Sequence, residues 1–446
     1  MHRCRLTSWV FLYFLLGTSF ITNAQRERTD RLGNFLECLK RGDPKPRPNG
    51  DDDAILRDLL RRCLEVHQNK CFNPARLQMV EAHPWGFGSA MNLWIQSLAN
   101  AVDIGLVMLP VGPFSYADPQ LCPPPSRDNL PFSTAEQSDA GVKSTGFNMS
   151  SPAALRFPGP ECYFQRITGC NESSRPIIRA KAFAKQGLAR GKNMLYKASR
   201  LLHVSPGWIW GNFASYLMEP VEGWVRNELL RRSDPDALGF TGGRKRVGLH
   251  MRLGSANAPI IDGRKRPKLT IDDFMRSVDE LTEKEQNLDI YIITDQPELT
   301  TNTLTERYRG DSLRSTHRFL VPKRNVADLG YFHEVDTGAV KGSLLPMKGF
   351  VAQHSVADIS LDLLADIEVL SKHVDFFIGS HSNLFFLVYG LRMQNKTRDR
   401  ARHSCWVNTE MPTAPLNCPS GKSVAFRRSY DVAGILSLPL GPGGSF

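Results

Sequence analysis

Four short stretches place polar and cationic side chains where a phosphorylated ligand would be held. Val247-Gly-Leu-His-Met-Arg-Leu-Gly-Ser255 reads as an apolar strand that delivers His250 and Arg252 at its tip. Ile290-Tyr-Ile-Ile-Thr-Asp295 delivers Thr294 and Asp295 in the same way. Phe376-Phe-Ile-Gly-Ser-His-Ser-Asn383 is a third strand, leaving through a Ser-rich turn into an apolar helix at 384–391. Pro84-Trp-Gly-Phe-Gly-Ser89 is a Gly-x-Gly turn, with Gly86, Phe87 and Gly88 opening an amphipathic helix. In open parallel sheets, ligands bind beyond the carboxyl ends of the strands. Ser380, Ser382 and the freed N–H groups of a helix start are donors backed by the helix dipole. Arg252 adds a permanent cation able to bind two phosphate oxygens, and two glycines let backbone approach a phosphate closely. Together these groups describe a pyrophosphate cradle. Each also has a plainer reading: Arg252 in a structural ion pair, Ser382 as a helix cap, Asp295 as a turn former. Neither GxGxxG nor GK[ST] occurs at the right place, which sets aside ordinary dinucleotide enzymes and P-loop NTPases.

The elements that must position these groups follow from the apolar pattern. Runs at 247–251, 290–293 and 376–378 are short and β-rich, and helical stretches near 270–284 and 360–373 lie between or beside them. Near-continuous apolar strands alternating with helices predict a parallel sheet covered on both faces, so 241–400 is expected to be a Rossmann-like α/β domain. Upstream, Asp51-Asp52-Asp53 precedes the run Ile55, Leu56, Leu59, Leu60, Cys63, Leu64 and reads as a helix cap in preference to a metal-binding acidic motif. Leu93, Trp94, Ser97, Leu98, Ala101 and Val102 predict a helix over 89–104 that Gly105 ends, then a strand at 106–110. Residues 111–160, rich in Pro, Ser, Gly and Asp, read as a long surface insertion. A basic helix is expected over 176–202, either as a solvated face or as an electropositive rim beside an anionic substrate.

At 446 residues, 41% hydrophobic and 23% charged, the chain has the composition of a folded protein with room for two or three domains. Its formal charge of +11 suits an anionic ligand but is too diffuse to argue for nucleic acid. Residues 1–24 combine Arg3 and Arg5 with an apolar run at 9–21 that is short for a bilayer span. This is a signal peptide or an uncleaved signal anchor. Of nine cysteines, Cys4 lies in the leader, and the remaining even number suits disulfides in an oxidising lumen, with free buried thiols as the other reading. Sequons at Asn148, Asn171 and Asn395 fit a glycoprotein. The expected plan is leader, stem and N-terminal helix at 25–70, an N-terminal α/β domain at 71–240, the Rossmann-like domain, and a tail at 401–446 that Cys405 and Cys418 would clip.

One ordered set of motifs carries a resemblance. Gly86-Phe-Gly88, His203-Val-Ser-Pro-Gly-Trp-Ile-Trp210, Gly248-Leu-His-Met-Arg252, Thr294-Asp295, Asp366-Ile-Glu-Val-Leu-Ser371 and Asp375-Phe-Phe-Ile-Gly-Ser-His-Ser382 resemble the α1,6-fucosyltransferase family and its relatives, over roughly 71–393. The resemblance implies an α/β fold of GT-B type, with two Rossmann-like domains of which the C-terminal one binds the nucleotide sugar. It implies inverting transfer of fucose from GDP-fucose without a metal or cofactor, in the Golgi, to a glycan or glycoprotein acceptor such as the N-glycan core. Position by position it implies His250 and Asp366 at guanine and Asp295 near the ribose. Arg252, Ser382 and the backbone of Gly86, Phe87 and Gly88 would hold the pyrophosphate. Asp362, one turn before Asp366, is a rival for the guanine role.

The departures from that family matter. Its α1,6 members continue past the first Arg with a second Arg, Asp and Lys, where this chain has Leu253, Gly254 and Ser255, closer to the protein O-fucosyltransferases. Gln296 replaces a second Asp after Asp295. The family's glutamate base lies in the loop after the motif. Asp262 is the only acid between Arg252 and Asp272, which makes it the candidate base. Arg264, Lys265, Arg266 and Lys268 are candidates to replace the missing cations. Two alternatives stand beside glycan transfer: transfer to Ser or Thr of a folded protein, and a non-catalytic glycan-binding luminal protein of the same fold.

Overall fold

The computed structural model describes residues 35–42, 52–69, 77–81, 87–111, 160–168, 177–179, 186–221, 223–253, 260–261, 264–265, 269–294, 296–308, 316–322, 356–380, 382–394 and 403–407. The leader, most of the 111–160 insertion, the three sequon asparagines, Gly86, Asp262, Asp295 and the tail beyond 407 lie outside the described residues.

The N-terminal part begins with a short helix at 35–41 (α1) and α2 (Asp52–Gln68), which starts within the acidic run, Asp51 lying outside the described residues. Cys38 and Cys63 form a disulfide that staples α1 to α2. Cys162 and Cys405 are also disulfide-bonded. Strand β1 (Leu77–Glu81), helix α3 (Phe87–Ile104), and strands β2 (Val107–Val111) and β3 (Ile177–Arg179) follow. The strands make a parallel sheet in the order β2-β1-β3. Gly105 ends α3 with a left-handed φ of 70°, and the Leu106 N–H reaches back to the Ala101 carbonyl at 2.8 Å, the Schellman geometry that favours glycine. The side-chain amide of Gln68 covers the outer edge of β2, donating to the Met108 carbonyl at 3.2 Å and accepting from its N–H at 3.1 Å. Among the described residues no helix is long and apolar enough to cross a membrane.

The single basic helix expected over 176–202 is corrected. Its first residues form β3, with Ile177 and Ile178 registered against Leu77 and Gln78, and the helix α4 starts only at Gln186 (Gln186–Leu201). Two adjacent β-branched residues fit a pleated surface better than a helix, and pairing with a distant strand decides between them. Helices α5 (Pro206–Leu217), capped by the Ser205 side chain, and α6 (Trp224–Ser233) complete this part.

The C-terminal part is a second parallel sheet. Its elements are β4 (Arg246–Met251), a small antiparallel pair β5 (Ile260–Ile261) and β6 (Arg264–Lys265), α7 (Ile271–Leu281), β7 (Asp289–Thr294), α8 (Pro297–Tyr308) and β8 (Arg318–Leu320). Then come α9 (Val356–Glu368), continued by a π turn at Val369–His373, β9 (Phe376–Ser380), α10 (Asn383–Met393) and β10 (Ser404–Val407). The strand order is β10-β9-β4-β7-β8, all parallel. Ranked along the chain these are fifth, fourth, first, second and third, the doubly wound order whose direction reverses between the first and fourth strands. That reversal lies between β4 and β9.

Both faces of the sheet are covered, as the near-continuous apolar strands require. Val247, Leu249 and Met251 pack with Phe274, Met275 and Val278 of α7 on one face. On the other, Leu370 and Val374 fill the place a Cβ on Gly248 would need. A single apolar core joins α3, α5 and α10. The approach of α5 to α10 is backbone to backbone, since a Cβ on Gly211 would lie 1.9 Å from the Gly390 carbonyl oxygen. Gly211→Ala should therefore force α5 and α10 apart, at a cost of about 1–3 kcal/mol or more by the scale of overpacked cores. Gly242→Ala, with nothing within 4 Å of the added carbon, should leave the thermal midpoint nearly unchanged.

Candidate anion site at the sheet switch point

Strand β4 delivers its residues to the point where the strand order reverses. His250 lies opposite Ile293 on one side and Gly379 on the other. The Arg252 backbone N–H donates to Ser380 Oγ at 3.0 Å, which ties the tip of β4 to the end of β9. Ser382 caps α10, its Oγ accepting the Phe385 N–H at 3.1 Å, and the same oxygen lies 3.5 Å from His250 Nδ1. Strand tip and helix start are thus one bonded unit.

Helix α3 brings a second start to the same place. A Cβ on Gly88 would fall 2.5 Å from the Leu384 nitrogen and 2.7 Å from its Cα. Asn92, one turn on, donates its amide to the Asn383 carbonyl at 3.0 Å. The first turns of α3 and α10 are therefore pressed together, and neither contains an acidic residue. Each helix start carries roughly half a positive charge in unsatisfied N–H groups. Two of them beside Arg252 make a concentrated positive region able to receive an anion.

The individual residues fall as follows. Gly88 is brought to the site, but the backbone of α10 occupies the place of its missing side chain, so this glycine is required by a helix contact. Phe87 is buried and its ring lies 6.4 Å from that of Phe164, leaving only its backbone for a ligand. His250 is held down to about 3 by burial and, secondarily, by the Arg252 charge, so its imidazole is neutral at physiological pH. Asp366 is brought to the face of the sheet that carries Gly248, but its carboxyl is fully buried and accepts the Tyr291 hydroxyl at 2.5 Å. Asp362 accepts from Arg232 Nη1 at 2.7 Å within an ion-pair cluster that also holds Glu228 and Asp358. Gly86, Asp295 and Asp262 lie outside the described residues. Of the basic helix, Lys197 pairs with Asp103 at 3.3 Å, near the end of α3 remote from Gly88.

Two contributors were not visible from sequence: Asn92, a polar residue within an apolar helix pattern, and Tyr291, inside a buried strand. Among the described residues no group of three His, Cys, Asp or Glu side chains is placed to hold a metal ion. No protein-family model matches the chain, and no curated protein matches it. Among solved structures it is similar to Arabidopsis thaliana FUT1, a mutant in complex with GDP, at 11% identity over 82% of this chain and 77% of that one, with a TM-score of 0.37.

The depressed His250 has a stability consequence. Its folded value of about 3 lies below the ordinary 6.5, so between those values the unfolded chain binds more protons. The stability it contributes is complete above pH 6.5 and is lost as pH falls toward 3. Denaturant midpoints measured at pH 7 and pH 4.5 should therefore differ more for the wild type than for His250→Gln.

Proposed function

We propose that this chain is a fucosyltransferase that takes GDP-fucose as donor, inverts the sugar carbon and needs no metal or cofactor, with transfer to the 6-position of a glycan such as the N-glycan core. The observation that carries the reading is the meeting of two helix starts and the Arg252-bearing strand tip at the switch point of a doubly wound sheet. The motif resemblance supplies the donor. A nucleoside diphosphate leaves readily when its developing charge meets fixed N–H groups and a guanidinium already in place. Arg252 and the starts of α3 and α10 supply that stabilisation. Asp262 is the candidate base for the acceptor hydroxyl and His250 the candidate guanine contact; Asp366, fully buried against Tyr291, is a guanine candidate by the motif resemblance alone. The Cys38–Cys63 disulfide fits a secretory lumen, and we assign the working compartment to the Golgi, with the leader as signal or anchor.

A second acceptor reading is favoured by one observation. Leu253, where the α1,6 members carry a second Arg, is buried in the core beside α7 and offers no cation to a phosphate. That matches the protein O-fucosyl type, which acts on Ser or Thr.

Transfer from GDP-fucose, measured in excess EDTA with a core N-glycan and with folded protein acceptors, tests both. Product with the glycan supports the first reading and product with protein the second. In either case Arg252→Ala should lower kcat/KM by about 10²–10³, the scale of one lost oxyanion donor. A folded wild type that binds glycan but neither binds GDP nor releases it contradicts both and leaves a non-catalytic glycan-binding protein.

A further inference from the structure

We propose that Ser380 is a positioning residue for Arg252. Its hydroxyl continues the bonding between β4 and β9 where their backbone ladder stops, and so fixes the point from which the arginine side chain sets out. The inference rests on the reading of this place as a diphosphate cradle. It moves Ser380 from the phosphate donors to a task one residue removed from the ligand.

The two sides of β4 end differently. Toward β7 the strands stay registered as far as Met251 and Thr294. Toward β9 the last registered pair is His250 with Gly379. One step on, a side chain takes over from the backbone, and Ser380 Oγ accepts the Arg252 N–H at 3.0 Å. A backbone N–H can only donate, so the direction of this bond is fixed. The hydroxyl hydrogen has the His250 carbonyl as its acceptor at 3.4 Å. Ser380 itself is buried. Strands part at a switch point to open a crevice, and here the serine holds them together for one further residue. Without its hydroxyl, the last strand pairing before Arg252 is that of Met251 with Thr294.

The direction of the Arg252 side chain follows from its neighbours. Met251 and Leu253 both lie in the core beside Phe274, Met275 and Val278 of α7. The alternation of the strand therefore carries through to 253, and Arg252 faces the opposite side with Gly248 and His250. On that side Leu370 and Val374 lie over Gly248. His250 Nδ1 there lies 3.5 Å from Ser382 Oγ, the cap of α10. The Arg252 charge is close enough to help keep the His250 imidazole neutral. A guanidinium on a long stem reaches the same spot each time only if its root is fixed, and a misplacement of about 1 Å is costly where charge must be met in place.

The test uses the whole chain in excess EDTA. Hydrogen–deuterium exchange resolved to single residues should show the Arg252 amide protected in the wild type. In Ser380→Ala it should exchange about tenfold faster, the scale of one lost hydrogen bond. GDP titrations of the wild type, Ser380→Ala, Arg252→Ala and the double variant form a mutant cycle. Ser380→Ala should weaken GDP binding about tenfold by itself, and by less than about twofold in the Arg252→Ala background, because the hydroxyl acts through that arginine. Ser380→Thr, which keeps a hydroxyl, should retain both protection and affinity. An Arg252 amide that exchanges as an open loop does in the wild type overturns the inference, and that measurement needs no variant to fold. So does a Ser380→Ala protein that binds GDP as the wild type does. An equal loss in both backgrounds also overturns it, being the result expected if the Ser380 hydroxyl itself touched the phosphate. A wild type that ignores GDP overturns the cradle reading and the binding role of Ser380 with it, whatever the amide exchange.

Discussion

Helix α10 has almost no freedom of position, and the rest of the site depends on that. Its first turn lies against Gly88 of α3 and its last turn against Gly211 of α5, both at distances that exclude a side chain. At its far end the fully buried Arg392 guanidinium donates to the carbonyls of Leu370, Val374 and Asp375 and to the Ser404 hydroxyl. A buried charge is tolerable when hydrogen bonds replace its water. Here the same bonds close the π turn after α9 and anchor β10. A helix clamped at both ends cannot drift by an ångström without breaking the Asn92–Asn383 bond or the bonds of Arg392.

This rigidity has a chemical use. Stabilising a departing diphosphate depends on dipoles that already point at the charge before it develops, because reorienting them during the reaction would cost part of what they contribute. The starts of α3 and α10 are held in place by packing and by the Asn92–Asn383 hydrogen bond, and no acid in either first turn neutralises them. The sheet contributes the third component, since its strand order reverses between β4 and β9 and so opens a crevice where Arg252 emerges. The three contributions come from residues nearly 300 positions apart in the chain and meet because α10, which follows β9 directly, packs with α3 and α5 in one core.

Much of this was legible in the sequence where local pattern decides the outcome. The runs around Val247, Ile290 and Phe376 are apolar throughout, which only a sheet buried on both faces accommodates, and the polar residues that end them were bound to lie at the strand tips. What was illegible depended on distant partners. Strand β3 hides within a basic stretch because its pairing partner is Leu77–Met79. The edge strands β8 and β10 are too short to show a period. Asp366 and Asp362 look alike on one helix, yet one is enclosed with Tyr291 and the other is taken by Arg232, 130 residues away. Gly88 reads as a phosphate-approach glycine, and only the path of α10 shows that its space is already filled.

The central claim is that the starts of α3 and α10 together hold a diphosphate. Hydrogen–deuterium exchange of the whole chain in excess EDTA, with and without GDP, tests it at the backbone groups concerned. Slowed exchange in peptides covering both 87–91 and 382–386 is the predicted result. Binding of GDP that protects neither segment, or only one of them, would contradict the account.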